Sequence, residues 1–285
     1  MATILELSDI RDGGEALDLL ERGGLVTAPR HGFALDEAER RLLDIDVSDG
    51  RSKNISLDPA TGQLGGTEIE SETRAALTQF ITRFSDWSEA LVRELAPSYG
   101  PHLQRKRASF RPAAIDNRAL SKRKDDRRLH IDAFPANPVQ GRRILRVFAN
   151  INPAGEARVW NVGDHSFEAF AGQFEGRLKP SSPVNAWALQ KLGLTKGRRS
   201  AYDAAMLQLH DLAKLDDGYQ ANAPRTRVEF PAGSAWIVFT DTVLHAALSG
   251  SHALEQTFLL PPEAMREQAR APVRVLERRL GRRLV

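Results

Sequence analysis

The sequence predicts an α+β protein in which an antiparallel β core is supported by helices at both ends of the chain. Helical apolar spacing dominates about the first 100 residues, strand-like runs dominate 104–260, and Pro261-Pro262 opens a helical stretch over 261–285. Helices, then strands, then helices are typical of this class, because each layer buries one face against another. A length of 285 residues fits one large domain, so we expect a single domain over 1–285 with a mixed α/β N-terminal part.

The N-terminal part is predicted from capping and stop signals. Ser8 opens a helix that runs to Leu20 and is stopped by Gly23-Gly24, and 25–28 is a short strand. A second helix is expected over 36–43, followed by a Ser-, Asp- and Gly-rich loop over 47–68. From Glu70 to Leu95 apolar residues recur every three or four positions, which predicts a long amphipathic helix facing the core.

The core is predicted from β-branched and aromatic runs bounded by turn residues. These runs place strands at 106–111, 128–133, 143–151, 159–162, within 230–239, at 243–248 and at 252–260. Apolar spacing also predicts one helix over 200–217. Because the chain turns back at Thr240-Asp241-Thr242, we expect the late strands to close a barrel or a double-sheet roll.

Composition excludes several classes of protein. The hydrophobic share of 41% and the charged share of 27% fit a folded globular chain rather than a disordered one. No apolar run reaches the roughly 20 residues of a membrane span, and the N-terminus has no secretory signal pattern. Since the chain has no cysteine, any metal must be held by histidines and carboxylates.

Two basic stretches suggest an anionic partner. Ten Lys or Arg residues against three Asp lie between Arg105 and Arg128, and 274–285 carries five Arg and one Glu. Clustered positive charge of this kind attracts phosphates, acidic sugars, membrane surfaces or nucleic acid. Solvated surface charge is the alternative for either stretch.

The motif that carries chemistry is His130-Ile131-Asp132. Side chains two apart on a strand point to the same face, so an imidazole and a carboxylate can converge on one ion. With one more imidazole they form the facial triad of non-haem Fe(II) oxygenases, which leaves coordination positions open. The pair alone is weak, because a chain with seven His and 37 acidic residues contains such a pair by chance.

His245 is the best candidate for the second imidazole, because it lies in an apolar strand after a turn, where a polar ring needs a strong partner. The other histidines lie in loops, in the predicted helix or beside a turn: His31, His102, His165, His210 and His252. A core histidine bonded to a backbone carbonyl is the alternative. Together with the earlier pair, His245 predicts a metal site, and His130, Asp132 and His245 are also the predicted catalytic residues.

The chain resembles the double-stranded β-helix (jelly-roll, cupin-like) Fe(II)/2-oxoglutarate oxygenases, which carry His-x-Asp on one core strand and a distal His on a later one. More narrowly, it resembles the Kdo hydroxylase family. The segments that carry this resemblance run from Leu129 to Pro135, Gly141 to Phe148, Asn150 to Pro153, Gly155-Glu156, Arg158 to Trp160, Leu244 to Gly250 and Lys53 to Ser56. Jointly they cover most of the chain from about residue 50 to 260.

This resemblance implies hydroxylation of the Kdo sugar of Kdo-lipid A, in the lipopolysaccharide inner core, with Fe(II), 2-oxoglutarate and O₂ and with release of succinate and CO₂. One alternative is a 2-oxoglutarate oxygenase that acts on protein or nucleic acid. We expect no nucleic-acid partner, since no aromatic platform for stacking bases is visible. The other alternative is a non-catalytic jelly-roll module that binds anionic glycolipid.

A planar cation is needed for the far carboxylate of 2-oxoglutarate, and arginine supplies it. No Arg or Lys lies between His245 and Arg266, so the strand after the metal motif is the alternative. There Arg146 lies between Ile144 and Phe148, where an unpaired charge is expensive to bury. The predicted cofactor-binding residues are Arg146, Arg111, Asn150 as a hydrogen-bond donor and Trp160 as a wall; a surface role for the arginines and a core role for Trp160 are the alternatives.

The basic loop Arg118–Arg128 is expected to meet the anions of the substrate through Arg123, Lys124 and Arg127. In the tail, apolar residues at 273, 276, 280 and 284 share a helical face surrounded by arginines. That pattern fits an interfacial basic helix or a helix packed on its own domain. We expect peripheral contact with an anionic membrane, in the cytoplasm or at the inner membrane of a Gram-negative bacterium.

Overall fold

The fold is built on an eight-stranded sheet and a three-stranded sheet that face each other. A computed structural model describes residues 2–10, 12–29, 32–115 and 120–285; His31 and the start of the predicted basic loop lie outside these ranges. The strands are β1 Ile4–Glu6, β2 Leu25–Ala28, β3 Ile55–Leu57, β4 Leu64–Gly65, β5 Gln104–Arg111, β6 Arg143–Asn150, β7 Arg158–Gly163, β8 Arg225–Phe230, β9 Ala235–Phe239, β10 His245–Ser249 and β11 Ala253–Leu260. Their order is β1-β2-β9-β6-β11-β5-β3-β4 in the large sheet and β10-β7-β8 in the small one.

The helices are α1 Gly13–Glu21, α2 Glu37–Leu43, α3 Ser71–Leu95, α4 Phe167–Phe174, α5 Pro183–Lys191, α6 Ala201–Leu215, α7 Asp217–Asn222 and α8 Pro272–Leu280. Short 3₁₀ turns lie at Leu7–Asp9, Pro97–His102, Glu175–Arg177, Pro262–Ala264 and Gln268–Arg270. The long helix and its inward stripe are confirmed, since Phe80, Ile81 and Phe84 of α3 are buried. The predicted helix over 8–20 is a 3₁₀ turn followed by α1, whose N-terminus is capped by Asp12.

Four strands of the first 100 residues belong to the large sheet. β2 pairs with β9 at one side of the sheet, and β3 pairs with β5 at the other. The loop expected over 47–68 therefore contains two short strands, β3 and the edge strand β4, which are too short for a periodic apolar signal. The mixed N-terminal part brackets the β core on both sides and shares its sheet.

The helix predicted over 200–217 is confirmed as α6, but three further helices in this part of the chain were not predicted. Four helices, α4 to α7, lie between β7 and β8. The expected helix over 200–217 is divided at Asp216, whose side chain accepts from Tyr219 N and begins α7. Of these helices, α6 and α7 contact the metal-binding segment, through His210 beside His130 and Gln220 bonded to Leu129.

The expected strand over 128–133 is also wrong, because only one residue of it pairs. His130 forms an isolated antiparallel bridge with His245. The residues beside His130 belong to no strand. His130 and Asp132 nevertheless converge as the metal prediction requires, because His130 pairs with His245 and Asp132 N donates to Thr240 O.

The C-terminal tail is packed against its own domain. Val273, Leu276 and Leu284 are buried in the main hydrophobic core, and Leu280 packs against it. The apolar face proposed for a membrane interface is thus already covered, and the reading of α8 as an interfacial helix is wrong. Within the described ranges, no helix has both the length and the apolar character needed to cross a bilayer.

Candidate metal centre and anion pocket

The structure brings His130, Asp132 and His245 together. One ligand atom from each lies within 4.8 Å of the others. His245 Nε2 is 3.9 Å from Asp132 Oδ2, and the two imidazole centroids are 4.6 Å apart. The convergence predicted from the spacing is therefore found, with the two histidines buried and Asp132 nearly so.

Backbone hydrogen bonds hold the two parts of this triad in register. His130 N donates to His245 O at 3.0 Å, and His245 N donates to His130 O at 2.8 Å. Asp132 N donates to Thr240 O at 2.7 Å. Since a residue and its neighbour two positions on share a face, this pairing aims all three side chains into the space between the sheets.

Each imidazole is oriented by a carbonyl. His130 Nδ1 lies 2.7 Å from Arg128 O, and His245 Nδ1 lies 2.9 Å from Val243 O. A carbonyl only accepts, so Nδ1 carries the proton and the lone pair of Nε2 is free for a metal. Burial lowers the pKa of both imidazoles, which keeps them in the neutral form that metals bind.

Asp132 is held as a carboxylate. Burial raises its pKa, but the positive charge of Arg146 outweighs burial and holds the pKa below the usual range. Its Oδ2 is buried and lies 3.2 Å from Arg146 Nη1, without a well-formed hydrogen bond in the described part of the chain. Two neutral imidazoles and a buried carboxylate are a fitting donor set for Fe(II) with open positions.

Beside the triad lies an arginine cluster formed by Arg111, Arg146 and Arg158. Arg111 contacts Glu255, while Arg146 lies 3.1 Å from Glu255 and 3.2 Å from Asp132. The Nε atoms of all three guanidinium groups are buried and lack hydrogen-bond partners within the described ranges. Arg111 and Arg146 share Glu255, and Arg158 has no acidic partner among the described residues. The cluster therefore has an excess of positive charge that an anion would balance.

Arg158 was missed by sequence reasoning, which began its strand one residue later. In the small sheet Val162 pairs with His245 and Trp160 with Ala247, so Arg158, two residues before Trp160, also faces the metal centre. Burial, with neighbouring Arg111, lowers the pKa of Arg158 to about 9. An anion placed there would compensate the lost solvation.

Trp160 stacks on His245, with ring centroids 5.2 Å apart and planes at 26°. Its indole Nε1 is buried and has no hydrogen-bond partner in the described chain. The ring therefore forms a wall of the metal centre and offers one free donor. Its expected place beside the cofactor fits these contacts.

Asn150 does not fit the expected cofactor role. Its Nδ2 donates to Glu156 O and Phe230 O, both at 2.9 Å, and its Oδ1 accepts from Asn152 N. Both amide hydrogens are used, so no donor is left for a ligand. The side chain ties three chain segments together at the end of β6.

The predicted substrate residues lie near the site but are paired. Arg123 lies 3.2 Å from Asp211, and Arg127 pairs with Asp125. Arg127 lines a cavity of about 70 Å³ that also contacts Arg158, whereas Lys124 is exposed. Their role in substrate binding stays a prediction.

Two further features were not anticipated. The ring of His210, on α6, lies edge-on to His130 with centroids 5.3 Å apart. A groove of about 710 Å³ also leads outward from Arg146. It is lined by the cations Arg107, Arg142 and Lys196, which are 35 to 89 residues apart and gave no local signal in the sequence.

A His-x-Asp…His triad is the donor set of mononuclear non-haem iron oxygenases. The model of the 3-deoxy-D-manno-oct-2-ulosonic acid (Kdo) hydroxylase family matches residues 8–283. The chain belongs to this family.

Solved structures of a Kdo hydroxylase, KdoO, described as a non-haem Fe(II) α-ketoglutarate-dependent dioxygenase, are similar throughout. The apo structure is 41% identical, covers 99% of this chain and 97% of that chain, and has a TM-score of 0.94. The cobalt(II) complex is 42% identical with the same coverage and TM-score. The complex with α-ketoglutarate and Fe(III) is 41% identical with a TM-score of 0.93 and the same coverage. A comparison with curated proteins gives no match.

Proposed function

We propose that this protein is an Fe(II)/2-oxoglutarate-dependent dioxygenase that hydroxylates the Kdo sugar of Kdo-lipid A, and that its two sheets form a double-stranded β-helix. The observation that carries the proposal is the buried triad of His130, Asp132 and His245 beside guanidinium groups with unused donors. The likeness of the whole chain to KdoO supports the choice of substrate.

His130, Asp132 and His245 would hold the metal and leave the remaining positions to 2-oxoglutarate and O₂. When bound, iron and 2-oxoglutarate supply the oxidising chemistry, in which the co-substrate is converted to succinate and CO₂ and a hydroxyl group is placed on the sugar. The carbonyls of Arg128 and Val243 fix the two rings. Trp160 covers one face of His245 and keeps water from it.

The arginine cluster binds the dianionic co-substrate. When Asp132 is assigned to the metal, Glu255 is the one carboxylate in ion-pair contact with these three guanidinium groups among the described residues. Asp126, which also acts on Arg111 and Arg158, is itself paired with Lys53 and Lys214, so positive charge remains in excess. Arg158 is the strongest candidate for the distal carboxylate, because it has no acidic partner among the described residues and a free Nε. Arg111 and Arg146 add positive charge around the co-substrate, and Arg146 also orients Asp132.

The acidic sugar and its lipid phosphates meet cations on two sides of the site. Arg107, Arg142 and Lys196 line the groove that ends at Arg146. Arg123, Lys124 and Arg127 are the second set, on the side of Arg158. We propose that the protein acts in the cytoplasm or at the inner-membrane surface of a Gram-negative bacterium, where it would meet a Kdo-containing glycolipid.

The test is anaerobic loading with Fe(II) and 2-oxoglutarate, exposure to air and mass spectrometry of Kdo-lipid A. The expected result is a gain of one oxygen on the Kdo unit, which is lost in His130→Ala and kept in His102→Ala, a variant of an exposed histidine. If protein or nucleic acid gains the oxygen instead, the assignment of Kdo-lipid A as the substrate is wrong. Absence of a 2-oxoglutarate-dependent Fe(II) absorption band would indicate a glycolipid-binding module without catalysis.

A further inference from the structure

Four large apolar side chains are exposed on one short part of the surface. Val184 and Trp187 of α5, with Leu192 and Leu194 just after it, are 72, 55, 73 and 60% exposed. We call this set the α5 surface. Contiguous exposed apolar residues of this size mark a surface that is covered in use.

The apolar character of α5 extends around the helix. Ala186 packs inward and is buried, whereas Val184 and Trp187, three residues apart, share the outward face. A helix on a protein surface ordinarily turns polar residues outward. The outward apolar face of α5 is therefore not explained by packing within the domain.

The charges around the α5 surface have one sign. Residues 178–202 contain five Lys or Arg residues and no Asp or Glu. Lys191, Lys196 and Arg198 are exposed, and Lys196 has only a distant ion pair, 3.8 Å from Asp58. Apolar residues with a tryptophan, flanked by lysines and arginines, match the interface of an anionic bilayer in both polarity and charge.

The α5 surface is also joined to the substrate groove. Lys196 and Gly197 line the groove. Lys196 N donates to Ala136 O at 2.8 Å, and Arg199 Nη2 donates to Pro135 O at 2.7 Å. These carbonyls belong to the segment that follows Asp132, so the apolar residues and the groove share one rim of the molecule.

We infer that the α5 surface docks on an anionic lipid bilayer and holds the groove against it, so that the sugar headgroup of a membrane glycolipid enters while its acyl chains stay in the bilayer. This inference rests on the proposed function for the identity of the glycolipid. The contact is made by α5 and residues 192–199 and not by the buried face of α8. A second copy of this chain is the other occupant that the test must separate.

The first experiment is flotation of the purified full chain with vesicles of phosphatidylglycerol and phosphatidylethanolamine. Trp187→Ser/Leu192→Ser is expected to lower the partition coefficient by about tenfold or more, because two large apolar side chains no longer enter the interface. Ile45→Ser, which alters an exposed apolar residue outside the α5 surface, is the matched control and should leave binding unchanged. High salt should weaken the binding of the unmodified protein.

The second measurement needs no change to the α5 surface. Of the four tryptophans, Trp160 and Trp236 are buried and Trp87 is partly buried against the core. Trp187 is more than half exposed, so a blue shift of tryptophan emission with anionic vesicles reports mainly on Trp187. The shift should vanish in Trp187→Phe and should not occur with vesicles of phosphatidylcholine.

Unmodified protein that ignores anionic vesicles, or a double variant that binds them as well as Ile45→Ser does, would overturn the inference. A dimer in sedimentation that the double variant dissolves would show that a second copy covers the surface. The Fe(II) absorption band with 2-oxoglutarate, recorded without vesicles, tests the proposed function separately. A normal band with no vesicle binding defeats only the docking inference, and vesicle binding without the band defeats only the enzyme.

Discussion

Arg143 and Arg158 are both buried arginines, at the starts of the consecutive strands β6 and β7, but their surroundings differ. Arg143 is fully buried and donates to Asp241 from Nε at 2.8 Å and from Nη2 at 3.1 Å. Nη2 also donates to Thr242 Oγ1, and the guanidinium lies 3.9 Å from the centroid of Phe239. Its charge and donors are satisfied by the domain itself.

Arg158 has far fewer hydrogen-bond and ion-pair partners. Its Nη1 donates to Gly250 O at a long 3.3 Å, its Nε has no partner in the described residues, and a like charge, Arg111, lies nearby. Burial alone therefore does not distinguish a structural arginine from a functional one. Hydrogen-bond donors without partners inside a charged pocket do distinguish the two, because burying such donors destabilises the domain unless a ligand binds them.

The largest effect on stability is expected at the satisfied pair. Asp241→Ala leaves Arg143 buried without its partner, which should lower the free energy of unfolding by about 3–5 kcal/mol. Urea denaturation measures it. Arg143→Met/Asp241→Leu, which removes both charges, should recover most of the loss. Equal destabilisation by the single and double variants would show that packing, not charge, holds this part of the core.

The reverse result is expected at the unsatisfied arginine. Arg158→Met should leave the unfolding free energy nearly unchanged, but weaken 2-oxoglutarate binding by about 2–4 kcal/mol, roughly 30- to 1000-fold in Kd. Anaerobic calorimetry with Fe(II) measures the affinity, with Arg227→Met, at an exposed arginine, as the matched control. Arg158→Lys should rescue little, since an ammonium cannot bind a carboxylate with two parallel hydrogen bonds. Full affinity in Arg158→Met would assign the distal carboxylate to Arg111 or Arg146.

A smaller effect on the free energy of unfolding is expected at the metal centre when the pH is changed. Burial lowers the pKa of His130 and His245 below their ordinary value of 6.5. Below pH 6.5 the unfolded chain binds protons at these rings that the folded metal-free protein does not, so stability should fall as pH falls through that value. Urea midpoints on either side of 6.5 measure it, and His130→Gln/His245→Gln should flatten the slope. A slope identical in that variant would place the acid sensitivity elsewhere.

The smallest effect on stability is expected for the exposed loop cations. Arg123→Ala and Lys124→Ala should not shift the urea midpoint, because solvated ion pairs contribute little. If they bind the substrate, KM for Kdo-lipid A rises while kcat is kept. Arg142→Ala, in the groove, is the comparison. A rise in KM only for Arg142→Ala would assign the substrate anions to the groove alone.

The metal site could be predicted from the sequence because its information is local. His130 and Asp132 share a face through a spacing of two, and His245 stands out as a polar ring in an apolar strand. The predicted Arg111, Arg146 and Trp160 do lie at the centre, since strand parity fixes which way a side chain points.

The alternation of side chains along a strand does not determine whether the polar groups of a side chain already have hydrogen-bond partners within the domain. Asn150 has the predicted direction, but its amide is used by carbonyls of distant segments. Arg158 looks like an ordinary charge at the start of a short strand, and its missing partner is visible only in three dimensions. The same limit applies to α8: its apolar face could be predicted from the sequence, but only the structure shows that this face is buried in the domain's own core.

The most direct test of the account is anaerobic titration of the metal-free protein with Fe(II) in the presence of 2-oxoglutarate, followed by visible absorption. We expect saturation at a single iron per chain, with an absorption band that requires 2-oxoglutarate. The band should disappear in His245→Ala and persist in His165→Ala. Iron binding that survives the loss of His245, or a band that does not depend on 2-oxoglutarate, would contradict the three-residue centre on which the proposed function depends.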